Sequence, residues 1–175
     1  MSERETHAMN EKSHSKNEET TAVREKKHVI RKATPADAQV LLDLIIAHAD
    51  YEKENFQSEG KLEALKKCLA TTPQPFECIL VECDGEVRGY CNYLVQYDSW
   101  ACAPHMLLDA LYLKPELRGQ GVGMEIMNLV REAARAAECK TVRWQTPVFN
   151  EMGINFYKKL NDTISGTKMF FTWDI

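Results

Sequence analysis

Hydrophobic residues recur along this chain with two different periods, and the switches between them mark out its elements. "HVIRKA" (28–33) reads as a first strand. "TPADAQVLLDLIIAHAD" (34–50) changes to helical spacing, with Leu41, Leu44, Ile45 and His48 on one face. Thr34 suits the N-cap of that helix, Pro35 its first position, and Asp37 can complete a capping box. "SEGKLEALKKCLAT" (58–71) predicts a second, shorter helix beginning at Ser58. "ECILVECDGEVRGYCNYLVQY" (77–97) places two apolar runs around Asp84-Gly85, the pattern of a hairpin. "LLDALYL" (107–113) follows as a fourth strand. The helix over Met124–Ala137 then sets Ile126, Leu129, Val130 and Ala133 on the same side as Val122. "TVRWQT" (141–146) predicts a fifth strand and "NEMGINFYKKL" (150–160) a short helix. After the turn "TISG" (163–166), "TKMFFTWDI" (167–175) reads as a last strand. A hairpin meander followed by βα units predicts an α+β fold with a mixed α/β sheet.

Residues 1–27 break the pattern. They hold six basic and six acidic side chains and almost no large apolar ones. Such a segment buries too little surface to offset its ordering entropy, which predicts a disordered polar tail ahead of one domain over 28–175. A chain of 175 residues, 44% hydrophobic, suffices for one substantial core. The net charge of −4 gives no electrostatic case for nucleic acid as a partner. It is compatible with a small cationic substrate, and equally with an ordinary solubility charge. None of the six cysteines forms a C-x-x-C pair and the five histidines do not cluster with them, which argues against a zinc site and predicts no metal. The polar N-terminus lacks the apolar centre of a signal peptide, and no stretch approaches the ~20 apolar residues of a membrane span. Free thiols in the cytoplasm are the expectation.

The stretch "LRGQGVG" (117–123) lies between the fourth strand and the helix after it. A helix start leaves about four backbone N–H groups without internal partners, and its dipole favours an anion there. Glycines at 119, 121 and 123 let the backbone approach a bulky group, and Arg118 adds a charged fork matched to phosphate oxygens. A Walker loop would need Lys-Ser or Lys-Thr, which are absent here. A dinucleotide fingerprint needs G-x-G-x-x-G early in a βαβ unit, whereas this G-x-G-x-G comes late, after a meander. A glycine-rich turn with an exposed arginine is the plain alternative.

The pattern R-G-x-G-[IVA]-G after a strand resembles the pyrophosphate loop of the GNAT N-acetyltransferases, which bind acetyl-coenzyme A. "VIRKATPADAQVLLDLI" resembles that family's opening strand and helix, "VRGYCNYLV" its third strand, and "NEMGINFYKKLN" its late motif. "YEKEN" (51–55), "YDSW" (97–100) and the late motif are most similar to the spermidine/spermine and thialysine N-acetyltransferases. The resemblance implies a central mixed sheet of six to seven strands flanked by about four helices. One departure is local. The spacing from Trp100 to Asp109 is one residue longer than usual, and Asp109-Ala110 stands where that subfamily has Glu-Asp.

What the resemblance implies for the site follows residue by residue. Arg118, Gly119, Gln120, Gly121, Val122 and Gly123 would hold the donor's pyrophosphate, and backbone groups near Leu111 and Leu113 its pantetheine arm. Asn150 would bind the pantetheine, or cap the short helix, and the two are compatible. Tyr157 would be the general acid: a phenol with a reference pKa of about 10 can protonate a departing thiolate. Asp109, alone in an apolar strand, would bind the amine or help remove its proton; otherwise it marks an exposed strand end. Glu52 and Asp98 are further candidates for holding an ammonium, or else loop charges. Trp100 and Tyr51 could wall an amine channel by cation–π contact, or simply pack. The implied activity is transfer of an acetyl group from acetyl-CoA to a primary amine of a polyamine or lysine-like acceptor. Another amine (amino acid, antibiotic or protein), or a CoA-binding sensor without turnover, stands as the alternative. The family's dimers pair late strands, so the apolar "KMFFTWDI" predicts a homodimer, although it could equally be a buried final strand.

Overall fold

The run "ECILVEC" is apolar at successive positions, as a strand covered on both faces must be. In the computed structural model, which describes residues 28–173, it forms β2 (Glu77–Cys83). Cys78 and Leu80 turn to one buried cluster, while Ile79, Val81 and Cys83 turn to another. The two clusters are the two cores of a three-layer domain.

The sheet runs in sequence order, β1-β2-β3-β4-β5. β1 (His28–Lys32), β2, β3 (Glu86–Asp98) and β4 (Ala103–Leu113) form an antiparallel meander, and β5 (Val142–Arg143) joins β4 in parallel. Asp84 and Gly85 both take positive φ, 54° and 79°, which matches the twist a two-residue hairpin requires. Helices α1 (Ala38–Glu52) and α2 (Lys61–Ala70) cover one face; Leu41, Leu44 and Leu69 bury there against Leu80, Tyr90 and Tyr112. Helix α3 (Val122–Ala136) covers the other, its stripe of Val122, Ile126 and Val130 packed on Ile79, Val81, Cys91 and Met106. Helix α4 (Glu151–Tyr157) closes the same side, with Phe156 and Tyr157 against that core.

The start of the first helix is held by charge as well as by a cap. The Asp37 carboxylate accepts the Thr34 backbone N–H at 2.8 Å. It also receives both arms of the Arg31 guanidinium, at 2.8 and 2.9 Å. Residues Pro35–Asp37 form a turn of 3-10 helix, and regular α1 begins only at Ala38.

Two expectations need correction. The sheet has five strands among the described residues, not six to seven. No strand forms over 167–173, and Met169, Phe171 and Trp173 are 81–92% exposed. The run carries strand-forming side chains, but a strand also needs an edge to pair with, and β5 offers only two residues. The expected polar tail 1–27 and the last two residues lie outside the described residues. No helix among those described is long and apolar enough to cross a membrane.

Candidate active site

The turn after β4 is built by backbone geometry. Gly119 and Gly121 have φ of 71° and 85°, in the left-handed region where a side chain is strained. Space around both is open: a Cβ at either would meet nothing within 4 Å. Gly121 is the N-cap of α3, and no side chain caps the helix. The first intrahelical bond runs from Glu125 N–H to the Gly121 carbonyl, which leaves the preceding amides of the first turn facing outward. Gly123 answers a different need, since a Cβ there would stand 3.3 Å from Phe156 Cζ of α4.

β4 and β5 pair only at Met106–Val142 and Leu107–Arg143. Beyond Leu107 the two separate, and Leu108 to Leu113 line a cavity of about 630 Å³. At its middle the β3–β4 ladder slips. Asn92 pairs with Ala110 and Tyr93 with Leu108, so Asp109 is the extra residue of a bulge. Bulges re-aim side chains. Here the carboxylate of a strand otherwise engaged in the core is exposed and lines the cavity.

Other elements complete the walls. From α1 come His48, Tyr51 and Glu52, at the end of the helix where the macrodipole is negative and a cation is favoured. His48 Nδ1 lies 2.9 Å from the Tyr90 hydroxyl, and its Nε2 lies 3.4 Å from Glu52 Oε1. From α4 comes Tyr157, packed 5.3 Å from the Trp144 ring; burial pushes its phenol up to about 12. The side chain of Asn150 makes three hydrogen bonds. Its Oδ1 accepts the Gly153 N–H at 3.0 Å and the Tyr51 hydroxyl at 2.7 Å, and its Nδ2 donates to Thr146 Oγ1 at 2.8 Å. The helix-capping role anticipated for Asn150 is therefore filled.

The structure thus brings Glu52, Asp109, Leu111, Leu113, Arg118, Gly119, Gly121, Gly123, Asn150 and Tyr157 to one cavity. Val122 is buried in the α3 core, leaving its backbone as its contribution. Gln120 donates to the Glu116 carbonyl across the turn. Arg118 folds inward: Nε donates to the Leu113 carbonyl at 2.8 Å, and its guanidinium lies 4.7 Å from the Tyr51 ring centre and 5.6 Å from that of Tyr112. Asp98 and Trp100 are not brought to the cavity. They sit at the β3–β4 turn, where Asp98 accepts backbone N–H groups of Trp100 and Ala101 and pairs with Arg143. Trp100 is 98% exposed. Sequence reasoning placed His48 on the apolar face of its helix and overlooked Tyr90 and Tyr112. The signal for His48 was its i,i+4 spacing to Glu52.

Comparisons with known proteins agree with this geometry. Residues 42–161 match the family model described as "Acetyltransferase (GNAT) family". A thialysine N-epsilon-acetyltransferase of Bos taurus is 31% identical over 140 residues, covering 75% of this chain and 82% of that protein. Spermidine/spermine N(1)-acetyltransferase-like protein 1 of Homo sapiens is 24% identical over 142 residues, covering 73% of this chain and 19% of that longer protein. Two solved structures share the fold. An aminoglycoside acetyltransferase from an uncultured soil metagenomic sample has a TM-score of 0.71 at 15% identity, covering 86% of this chain and 98% of that one. An aminoglycoside N-acetyltransferase in complex with CoA has a TM-score of 0.69 at 14% identity, covering 85% and 95%. The glycine turn, the parted strands and the family model that spans them both lead to one conclusion: the chain belongs to the GNAT acetyltransferase family and is an N-acetyltransferase.

Proposed function

We propose that the protein transfers an acetyl group from acetyl-CoA to a primary amine of a small cationic acceptor, a polyamine or a lysine-like amine. The observation that carries this reading is the convergence on one cavity of an uncapped helix start, an open strand edge, the half-buried phenol of Tyr157 and the carboxylates of Glu52, Glu54 and Asp109. The residues present fit the donor. Open space at Gly119 and Gly121 and the outward amides of α3 suit a pyrophosphate, and the edge of β4 at Leu111 and Leu113, unpaired with β5 and, among the described residues, engaged only by Arg118 at the Leu113 carbonyl, suits a pantetheine amide. Acetyl-CoA, when bound, supplies an activated thioester.

The chain's own groups do the rest. Backbone N–H groups of β4 polarise the thioester carbonyl, a contribution of roughly 2–4 kcal/mol in comparable sites. Glu52 and Asp109 attract the ammonium form of the acceptor to the negative end of α1. Asp109 takes up the proton the amine must lose before it attacks, directly or through water. Tyr157, kept protonated by burial, gives a proton to the departing sulfur. We include a homodimer formed through the exposed C-terminal segment and a cytoplasmic location in the same reading; the six cysteines are free thiols.

Thiol release from acetyl-CoA across polyamines, thialysine, lysine and aminoglycosides tests this. We expect polyamines or thialysine to lead, with Tyr157→Phe slowing turnover at least tenfold while CoA affinity is retained. Equal rates for Tyr157→Phe and the parent would remove the phenol from the mechanism. Coenzyme A binding without turnover on any amine would mark a sensor instead.

A further inference from the structure

Behind Glu52 stand two polar groups that the mechanism does not use, His48 on the cavity wall and Tyr90 beneath it. His48 stands one helical turn before Glu52 on α1, with 15% of its side chain exposed. Its ring stacks on Tyr112 at 5.2 Å and 28°, and meets Tyr90 edge-on at 5.8 Å. Those two rings fix its plane, so the nitrogens point in set directions. Nδ1 faces the Tyr90 hydroxyl at 2.9 Å and Nε2 faces Glu52 Oε1 at 3.4 Å.

The chemistry of the partners assigns the proton. An ionised carboxylate only accepts, so Nε2 carries the hydrogen and Nδ1 is the acceptor. Tyr90 is 2% exposed, and burial pushes its phenol well above the usual range, so it remains an O–H donor. The order is Tyr90 O–H to His48 Nδ1, then His48 Nε2–H to Glu52. The charged groups facing the imidazole are Glu52 from its own helix, Asp109 of β4 and Arg118 after β4. Burial lowers its pKa most and Arg118 lowers it further, against the opposing pull of Glu52 and Asp109; the balance favours the neutral ring.

We infer that His48, backed by Tyr90, is a positioning residue that aims the Glu52 carboxylate into the cavity and thereby sets affinity for a cationic acceptor. The inference rests on the reading of Glu52 as an ammonium-binding group. A carboxylate at the end of a helix has several rotamers, and the contact with His48 Nε2 at 3.4 Å selects among them before the amine arrives. The device acts on acceptor binding and leaves the thioester alone, so its signature is a change in acceptor KM with little change in kcat.

Kinetics with thialysine and spermidine, calorimetry of the same amines in the presence of CoA, and nitrogen-15 NMR of the imidazole test it. His48→Leu should raise acceptor KM and Kd about tenfold, as loss of a hydrogen bond to a charged group does, with kcat within twofold and CoA affinity retained. His48→Gln, whose amide can reach Glu52, should recover most of that loss. Tyr90→Phe, which keeps the ring, should give an intermediate effect. The NMR spectrum at pH 7.5 should show a neutral Nε2–H tautomer. If His48→Leu does not fold, the other two variants and the spectrum still decide. An unchanged acceptor KM in these variants, a fall in kcat alone, or an Nδ1–H tautomer would overturn the role of His48 and leave the reaction standing. Weaker amine binding in His48→Leu, with turnover absent even in the parent protein, would overturn the reaction and leave the role standing. If the parent binds neither amine, both fall.

Discussion

Arg31 and Asp37 show how one pair of side chains can fix an element. The bidentate fork joins β1 to the start of α1, and the Asp37 side chain is 12% exposed. The guanidinium holds the Asp37 carboxyl well below the usual carboxylate range. Because the folded state depresses this pKa, the pair contributes fully above the unfolded value of about 3.9, and its contribution fades as pH falls through the folded value. Asp37→Asn should therefore lose about 1–2 kcal/mol at neutral pH. Urea unfolding of both proteins should show that gap narrow steadily below about pH 4; a gap constant with pH would mean that charge is not its source. At this scale the sequence was only partly legible. Thr34, Pro35 and Asp37 announced the helix start because capping is local chemistry. The Arg31 fork, the inward fold of Arg118 and the contact of His48 with Tyr90 were not visible, because each depends on where distant segments meet.

At the scale of elements, periodicity served well wherever one segment carries its own pattern. The hairpin at Asp84-Gly85, the helix α3 and the two-faced strand β2 all follow directly from spacing. The Asp109 bulge did not, since it arises from the register between two strands. The glycine turn divides its labour in a way spacing alone hides. Gly121 is required by its left-handed backbone, whereas Gly123 is required by the packing of α4 on α3. Gly121→Ala should thus cost about 1–2 kcal/mol through strain, without a clash. It should also raise the KM for acetyl-CoA, because the amides after it change direction. Thermal unfolding and cofactor titration would check both; an unchanged melting temperature would place the strain elsewhere.

For the molecule as a whole, the layers and the cavity were legible, and the fate of the C-terminal run was not. Ile164, Met169, Phe170, Phe171 and Trp173 are each about four-fifths exposed or more. Apolar surface of that density is uncommon on a monomer, and Phe170 of this run also lines the cavity. The proposed homodimer predicts that sedimentation shows a dimer at micromolar concentration, and that Phe171→Ser with Trp173→Ser shifts it toward monomer. A parent protein that stays monomeric at high concentration would remove this segment as the contact. An apolar run tells a reader that burial is favoured, but not what covers it.

Arg118 opens the turn proposed for the donor, yet its guanidinium rests near the rings of Tyr51 and Tyr112, on the side proposed for the acceptor, and Tyr51 in turn hydrogen-bonds Asn150 at the head of α4. In the proposed reaction a single cation therefore lies between the donor half and the acceptor half. Any displacement of Arg118 on filling one half is felt as a free-energy change in the other. Thermodynamic linkage makes that change identical in both directions. Under the proposed reaction the two substrates would then be energetically coupled before any bond between them forms, each changing the other's affinity by the same factor.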